Sequence, residues 1–206
     1  MGKIYTLVIF GSTGDLTKRK LIPALYNLEV QNSLPENFQI ICIGRRNYTN
    51  LDYISFLKDA VKEYSRFPIK INVWDKFSKR INYLLMNYTD NNAYHVLKNY
   101  LDSINKEENQ FIYYLAVSPE HFEIIINNLK EYGLEKINNL NPRLVIEKPF
   151  GKNLKTAKLL NEKIVSVFGE ENTYRIDHYL GKEMLQNIMV ISFSNQFFEP
   201  VWNNKY

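Results

Sequence analysis

An acid, an imidazole, a phenol and an ammonium group lie close together in the segment Arg175-Ile-Asp-His-Tyr-Leu-Gly-Lys-Glu183. His178 and Lys182 are four residues apart, so a helix would place both on one face, where they can bind the same anion. Asp177 can orient the imidazole of another histidine that acts as a catalytic base. The same charges also suit the solvated start of a helix, so this segment alone leaves both interpretations open.

A glycine loop, Gly11-Ser-Thr-Gly-Asp-Leu16, follows the apolar run of residues 5–10 and precedes a helical pattern. Its glycines would let the backbone turn tightly and approach a pyrophosphate, whose charge then faces a helix N-terminus. The loop reads GxxGDL rather than GxGxxG, but it lies in a predicted βαβ unit, which is the setting that dinucleotide binding requires. A tight turn between strand and helix, without a ligand, is the alternative.

Two arginines end the second apolar strand, which reads Gly44-Arg45-Arg46 at its carboxyl end. NAD enzymes commonly carry Asp or Glu here, where the carboxylate binds the ribose 2′-hydroxyl. Arginine instead forms charge-assisted and often bidentate bonds to phosphate, so adjacent guanidinium groups suit a ribose 2′-phosphate. An arginine pair in isolation indicates surface charge. Behind a glycine loop, it predicts NADP as the cofactor.

The elements that must position these residues alternate between strand and helix. Strands are predicted at residues 5–10, 38–43, 81–86, 111–117 and 143–147, and helices after residue 16, at 51–64 and 93–104, from Ser118-Pro119 to 130, and after Asn153. Ser118 and Asn153 are the expected N-caps. In the first helix, one side carries Leu16, Leu21, Leu25 and Leu28. The alternation predicts an α/β fold, a doubly wound Rossmann-type parallel sheet with helices on both faces. Residues 65–80 show no clear pattern.

Composition narrows the class of protein. The 206 residues are 45% hydrophobic and 23% charged, as in ordinary globular proteins. A net charge of +4 without a basic stripe argues against nucleic-acid binding. The single cysteine, Cys42, lies in an apolar run and allows neither a disulfide framework nor a cysteine metal site. No stretch is apolar enough for a membrane helix. We therefore expect a cytoplasmic protein with no metal and no membrane partner.

Three segments in order resemble the glucose-6-phosphate dehydrogenase family, which is NADP-dependent. They are Gly11-Ser-Thr-Gly-Asp-Leu-Thr-Lys-Arg-Lys-Leu21, Glu147-Lys-Pro-Phe-Gly151 and Arg175-Ile-Asp-His-Tyr-Leu-Gly-Lys-Glu183. The last is that family's signature, and its spacing to the other two also agrees. Lesser landmarks agree as well: Leu21-Ile-Pro-Ala-Leu-Tyr26, Phe111-Ile-Tyr-Tyr-Leu-Ala116 and Pro200-Val-Trp-Asn203. The resemblance covers essentially the whole chain.

For the cofactor, the resemblance implies a pyrophosphate loop and an arm for the 2′-phosphate. The loop residues would be Gly11, Ser12, Thr13, Gly14, Asp15 and Leu16. Arg46, with Arg45, would bind the 2′-phosphate, and Met86 with Asn87 would line the cofactor.

For the substrate, the resemblance implies glucose 6-phosphate. Lys148 would stand between the sugar and the nicotinamide, aimed by a cis peptide before Pro149. The sugar phosphate would be bound by His178, Tyr179 and Lys182, while Asp177 would orient the general base. The implied reaction transfers hydride from C1 of the sugar to C4 of the nicotinamide and yields 6-phosphogluconolactone.

The resemblance also sets expectations about domains. Residues 1–174 would form the NADP-binding Rossmann-like domain, and residues 175–206 the first helix of a C-terminal substrate and dimerisation domain whose remainder is absent. Family members are more than twice as long, and their catalytic histidine lies in that second, α+β domain, through which they form homo-oligomers. Neither His95 nor His121 falls in a family motif, so both are expected to be structural or surface residues.

Two hypotheses follow. The chain is either the N-terminal part of a glucose-6-phosphate dehydrogenase or a catalytically incomplete NADP-binding fragment or remnant without the general-base histidine. In both cases we expect negligible activity from residues 1–206 alone. A short-chain reductase is disfavoured because Tyr174, Tyr179 and Lys182 do not supply its Tyr-x-x-x-Lys spacing.

Overall fold

The computed structural model describes residues 4–105, 109–137, 140–177 and 183–194. The strands are β1 Ile4–Phe10, β2 Phe38–Gly44, β3 Ile81–Leu85, β4 Asn109–Leu115, β5 Arg143–Glu147 and β6 Thr173–Ile176. The helices are α1 Ile22–Val30, α2 Asn50–Tyr64, α3 Ile71–Ser78, α4 Ala93–Ile104, α5 Phe122–Glu131, α6 Leu154–Phe168 and α7 Glu183–Ser194. A π-helical turn, Thr17–Leu21, precedes α1, and a 3₁₀ turn, Pro119–His121, precedes α5.

The strands form one sheet in the order β3-β2-β1-β4-β5-β6. β1 pairs in parallel with both β2 and β4, so that Val8 lies opposite Ile41 on one side and Tyr113 on the other. The strand order therefore reverses between β1 and β4, and ligands of open parallel sheets bind beyond the carboxyl ends of the strands at such a reversal. The predicted doubly wound Rossmann-type sheet is confirmed.

Both faces of the sheet are buried. Alternate strand residues point to opposite faces, and one set, which includes Val8, Ile41 and Tyr113, joins a core cluster with side chains of α4, α5 and α6. Ile9 and Cys42, which belong to the other set, are also fully buried. Burial on both faces explains why these strands are continuous apolar runs rather than alternating ones.

The four leucines of the first helical segment are not its most buried residues. Leu28 is exposed, whereas Ile22 and Tyr26 are fully buried. A π turn accommodates an extra residue, so the turn at Thr17–Leu21 shifts the phase of the side chains that follow it. The buried residues therefore do not follow one regular helical period through this turn.

Helix starts agree with the sequence in one case and differ in another. Asn153 caps α6 through the backbone N–H of Thr156, at 2.9 Å, as predicted. Ser118 is the N-cap residue with Pro119 in the first turn, as predicted, but it makes no side-chain cap bond: its backbone carbonyl accepts the N–H of His121, and the segment opens as a 3₁₀ turn. The helix α3 and the edge strand β6 were not predicted.

The contacts divide the chain into two compact units, Met1–Tyr174 and Arg175–Tyr206. The first contains the sheet as far as the start of β6 and the helices α1 to α6. Within the second, the described residues include α7, which exposes apolar side chains such as Met184 and Val190. In the described ranges, no helix combines the length and the apolar character needed to cross a membrane.

Candidate functional site

The glycine loop makes a tight turn directly after β1. Gly11 has a φ of +82°, and a Cβ atom there would lie 2.4 Å from the carbonyl oxygen of Ala116, at the end of β4. The turn closes through the N–H of Gly14, which donates to the carbonyl oxygen of Gly11 at 2.9 Å. Only glycine combines this backbone conformation with so close an approach to a neighbouring strand.

A cleft of about 280 Å³ opens beyond the carboxyl ends of β1, β2 and β4. The residues that line it are Gly11, Thr13, Gly14, Gly44, Arg45, Arg46, Tyr88, Ala116, Val117 and Ser118. The cleft lies where the strand order reverses, so the structure brings the predicted glycine loop and the predicted arginine pair to one place. Among these lining residues none carries a carboxylate.

The arginine arm, Arg45 and Arg46, leaves the end of β2 with both side chains exposed. Its backbone is fixed at Arg46, whose carbonyl oxygen accepts the N–H of Tyr48 at 2.9 Å and the hydroxyl of Tyr83 at 2.6 Å. Tyr48 immediately precedes Thr49, the N-cap of α2, where Thr49 and Asp52 form a reciprocal capping box. The arm is therefore held between a strand and a well-capped helix.

Two hydrogen bonds of the Ser12 backbone also fix the glycine loop. Ser12 donates its N–H to Ile43 at 2.9 Å, and its carbonyl oxygen accepts the buried hydroxyl of Tyr53 at 2.8 Å. In the part of the chain that the structure describes, the buried Oγ of Ser12 has no hydrogen-bond partner. Burial raises the pKa of Tyr53 well above its ordinary value and that of the neighbouring Cys42 thiol to about 12. The Tyr53 phenol therefore remains a protonated donor at physiological pH.

Asp15 and Leu16 lie at the helical start that follows the glycine loop. Asp15 is exposed and lies 3.4 Å from Arg19, an ion pair between exposed groups that is worth little. Lys18 and Arg19 lie against the ring of Tyr64, at 5.8 and 5.2 Å from its centre. The two basic side chains of this turn are therefore held on the ring of Tyr64, and neither is among the residues that line the cleft.

Other predicted cofactor and substrate residues lie at the ends of neighbouring strands. Met86 directly follows β3 and is buried in the core cluster, while Asn87 is exposed and accepts hydrogen bonds from Thr89. The residue of that segment that lines the cleft is Tyr88. The involvement of Met86 and Asn87 with the cofactor stays a prediction.

Lys148 follows β5 and is exposed, and the peptide bond to Pro149 is cis, as expected. The preceding carboxylate, Glu147, accepts a hydrogen bond from the hydroxyl of Tyr114. Burial, together with this carboxylate, raises the pKa of the Tyr114 phenol above its ordinary value. Glu147 is thereby fixed immediately before the predicted substrate lysine.

Asp177 directly follows β6 and is half-buried, whereas His178, Tyr179 and Lys182 lie outside the described residues. Their predicted roles therefore remain untested. Within the described ranges, no group of three or more His, Cys, Asp or Glu side chains could hold a metal ion.

Sequence reasoning missed four groups at this site: Tyr53, Tyr83, Tyr88 and the backbone of 116–118. The last group had a usable signal, since residues 116–118 lie at the carboxyl end of a predicted parallel strand, where the other predicted cofactor segments also lie. Tyr88 also had one, because it directly follows the predicted pair Met86-Asn87. Tyr53 and Tyr83 had none, because they are far in sequence from the loops that they contact.

The strand order, the glycine loop at its reversal point and the arginine arm together define a Rossmann-type dinucleotide-binding domain. The sequence model of the family described as "Glucose-6-phosphate dehydrogenase, NAD binding domain" matches residues 8–187. The chain therefore belongs to the glucose-6-phosphate dehydrogenase family.

Relatives and solved structures agree with this assignment. Glucose-6-phosphate 1-dehydrogenase of Chlamydia muridarum is 40% identical over 97% of this chain and 41% of its own, and that of Bacillus subtilis is 40% identical over 97% and 40%. A solved structure of glucose-6-phosphate dehydrogenase in complex with its substrate glucose-6-phosphate superposes with a TM-score of 0.82, at 30% identity, over 99% of this chain and 43% of that one. The chain thus spans about two fifths of the length of the relatives it matches.

Proposed function

We propose that the chain is the N-terminal part of a glucose-6-phosphate 1-dehydrogenase, which oxidises glucose 6-phosphate at C1 to 6-phosphogluconolactone with NADP, in the first step of the oxidative pentose phosphate pathway. One observation carries the proposal: the glycine loop and the arginine arm line the same cleft at the reversal point of the sheet. The reaction itself is inferred from the family to which the chain belongs.

The residues of the cleft fit NADP. Gly11 lets the loop pass close to the end of β4, and Gly11 and Gly14, which have no side chains, line the cleft, so that a pyrophosphate can contact their backbone. Arg45 and Arg46 offer guanidinium groups to a 2′-phosphate, with no carboxylate among the described lining residues to repel it.

We assign the substrate side by the family resemblance. Lys148 would lie between sugar and nicotinamide, His178, Tyr179 and Lys182 would bind the sugar phosphate, and Asp177 would orient the general base. When bound, the nicotinamide accepts the hydride. The chain's own residues orient the sugar through its phosphate, and this remote binding energy lowers the barrier at C1.

We propose that residues 1–174 bind the cofactor and that residues 175–206 open a substrate and dimerisation domain, through which the protein would form homo-oligomers. The buried, lone cysteine supports a reducing compartment such as the cytoplasm. The mild net charge is what supports a small-molecule substrate over nucleic acid.

The chain is expected to bind NADP about 30-fold or more tightly than NAD. A hydrogen bond to a charged group contributes roughly 1.5–3 kcal/mol, and about 1.4 kcal/mol is a factor of ten in affinity. Isothermal titration of the 206-residue chain with each nucleotide measures the ratio. Equal affinities, or no binding of either, would refute the assignment of the cofactor site.

The 206-residue chain on its own is expected to show negligible oxidation of glucose 6-phosphate, because no histidine in a family motif other than His178 is present to act as the base. The measurement is the absorbance of the reduced nicotinamide, with NADP binding verified in the same sample. Turnover well above background would show that the base lies within residues 1–206 and would remove the incomplete fragment as an alternative.

A further inference from the structure

Three tyrosines connect the glycine loop to the arginine arm, and we call Tyr48, Tyr53 and Tyr83 the tyrosine cluster. The rings of Tyr53 and Tyr83 stack with their centres 4.3 Å apart, and Tyr48 lies 6.0 Å from Tyr83 in an edge-to-face contact. Tyr53 comes from α2, Tyr83 from β3, and Tyr48 from the segment between β2 and α2. The tyrosine cluster therefore connects three separate parts of the fold.

Two hydroxyl groups of the tyrosine cluster donate hydrogen bonds to backbone carbonyls, one in the glycine loop and one in the arginine arm. Tyr53 donates to Ser12 at 2.8 Å, and Tyr83 donates to Arg46 at 2.6 Å. A phenol can donate one hydrogen only, so each hydroxyl fixes one segment. The path from the pyrophosphate loop to the arginine arm thus runs through one hydrogen bond, one ring stack and a second hydrogen bond.

The position of Tyr83 is itself fixed on several sides. Its backbone N–H donates to the side chain of Asn50 at 2.8 Å, and its ring covers Gly44, where a Cβ atom would lie 2.7 Å from the phenol oxygen. Burial raises the pKa of this phenol, so it stays a donor at physiological pH. The hydrogen bond to Arg46 is consequently made by a side chain with little freedom to move.

We propose that Tyr83 is a specificity-determining positioning residue, which holds the Arg46 backbone so that the arginine arm faces the 2′-phosphate of NADP. The inference rests on the proposed cofactor. Tyr83 fixes the arm and Tyr53 fixes the pyrophosphate loop, so the two hydroxyls act on different parts of the nucleotide. NADP and NAD share the pyrophosphate but differ in the 2′-phosphate. Losing the Tyr83 hydroxyl therefore weakens NADP alone, whereas losing the Tyr53 hydroxyl weakens both nucleotides.

The test compares Tyr83→Phe and Tyr53→Phe in the full chain, because both variants keep the ring and open no cavity. Titration calorimetry with NADP and NAD gives the dissociation constants. Tyr83→Phe should raise the constant for NADP about three- to tenfold, the size expected for one hydrogen bond, and change that for NAD less than twofold. Tyr53→Phe should raise both by a similar factor. Adenosine 2′,5′-bisphosphate, compared with AMP, should repeat the Tyr83→Phe result.

Tyr132→Phe is the control, since Tyr132 does not line the cleft and the variant keeps the ring that contacts Tyr94 and His95, and it should bind both nucleotides like the wild type. Circular dichroism verifies that each variant is folded. If Tyr83→Phe weakens both nucleotides equally, or neither, the proposed role of Tyr83 is wrong. If the wild type itself does not prefer NADP, the proposed cofactor fails instead, so the two failures are distinguishable.

Discussion

Gly11→Ala is expected to abolish measurable NADP binding and to lower the free energy of unfolding by about 2–5 kcal/mol. An L-residue in the left-handed region costs roughly 1–2 kcal/mol, and Gly11 has a φ of +82°. The new methyl group would also lie 2.4 Å from the carbonyl oxygen of Ala116 and 2.6 Å from a methyl of Val117. Because the first contact is with backbone, β1 and β4 must shift apart, at a cost typical of overpacking, about 1–3 kcal/mol.

Urea denaturation followed by circular dichroism measures the stability of this variant, and calorimetry below its unfolding transition measures binding. Gly133→Ala is the control, since Gly133 also has a positive φ, of +67°, but its nearest neighbour to an added Cβ is the flexible end of Lys98, 3.7 Å away. The free energy of unfolding of Gly133→Ala should fall only by the cost of the backbone conformation, about 1–2 kcal/mol, and this variant should keep its affinity for NADP. Wild-type binding by Gly11→Ala would show that the close approach has no role in the cofactor site.

Removing both guanidinium groups, in Arg45→Ala/Arg46→Ala, should weaken NADP about 100-fold or more and leave NAD within threefold. Arg46→Ala alone should lose about 1–3 kcal/mol, which is roughly five- to 150-fold. The selectivity follows from the exposed position of both arginines at the cleft and from the absence of a 2′-phosphate in NAD. Stability should hardly change, because exposed charges contribute little to folding.

A charge-matched control separates the site from the general electrostatic field. Lys58 and Arg66 are both exposed, and neither is among the residues that line the cleft. Lys58→Ala/Arg66→Ala removes the same net charge and should change the affinity for NADP less than threefold at physiological ionic strength, where screening is strong. If this control weakened NADP as much as the arginine-arm variant, the arm would have no direct contact with the 2′-phosphate.

The parts of the site that sequence could predict are those encoded locally. The glycine loop and the arginine pair each directly follow an apolar strand, and in a parallel sheet the ends of neighbouring strands meet at one edge. Asn153 and Thr156 form a cap within a few residues of each other. In each case, the residues that decide the structure are adjacent in the chain.

The remainder depends on contacts between distant residues or on irregular geometry. Tyr53 and Ser12 are 41 residues apart, as Tyr83 and Arg46 are 37 apart, and no spacing rule connects them. The π turn at Thr17–Leu21 breaks the regular helical period that a sequence pattern assumes. At Ser118 the backbone, rather than the hydroxyl, supplies the hydrogen bond. Such features follow from tertiary packing, which composition and periodicity do not contain.

The position of β1 in the sheet has a consequence for synthesis on the ribosome. β1 pairs with β2 early in the chain, but its other partner is β4, where Ile4 lies opposite Asn109 and Thr6 donates to the Asn109 side chain at 3.0 Å. Until residues 109–115 have emerged, a nascent β1-β2-β3 sheet would expose a central apolar strand as an unpaired edge. Such edges favour association with other chains. Slow translation between β3 and β4 would therefore promote aggregation of the nascent chain, whereas rapid emergence of β4 would close the edge.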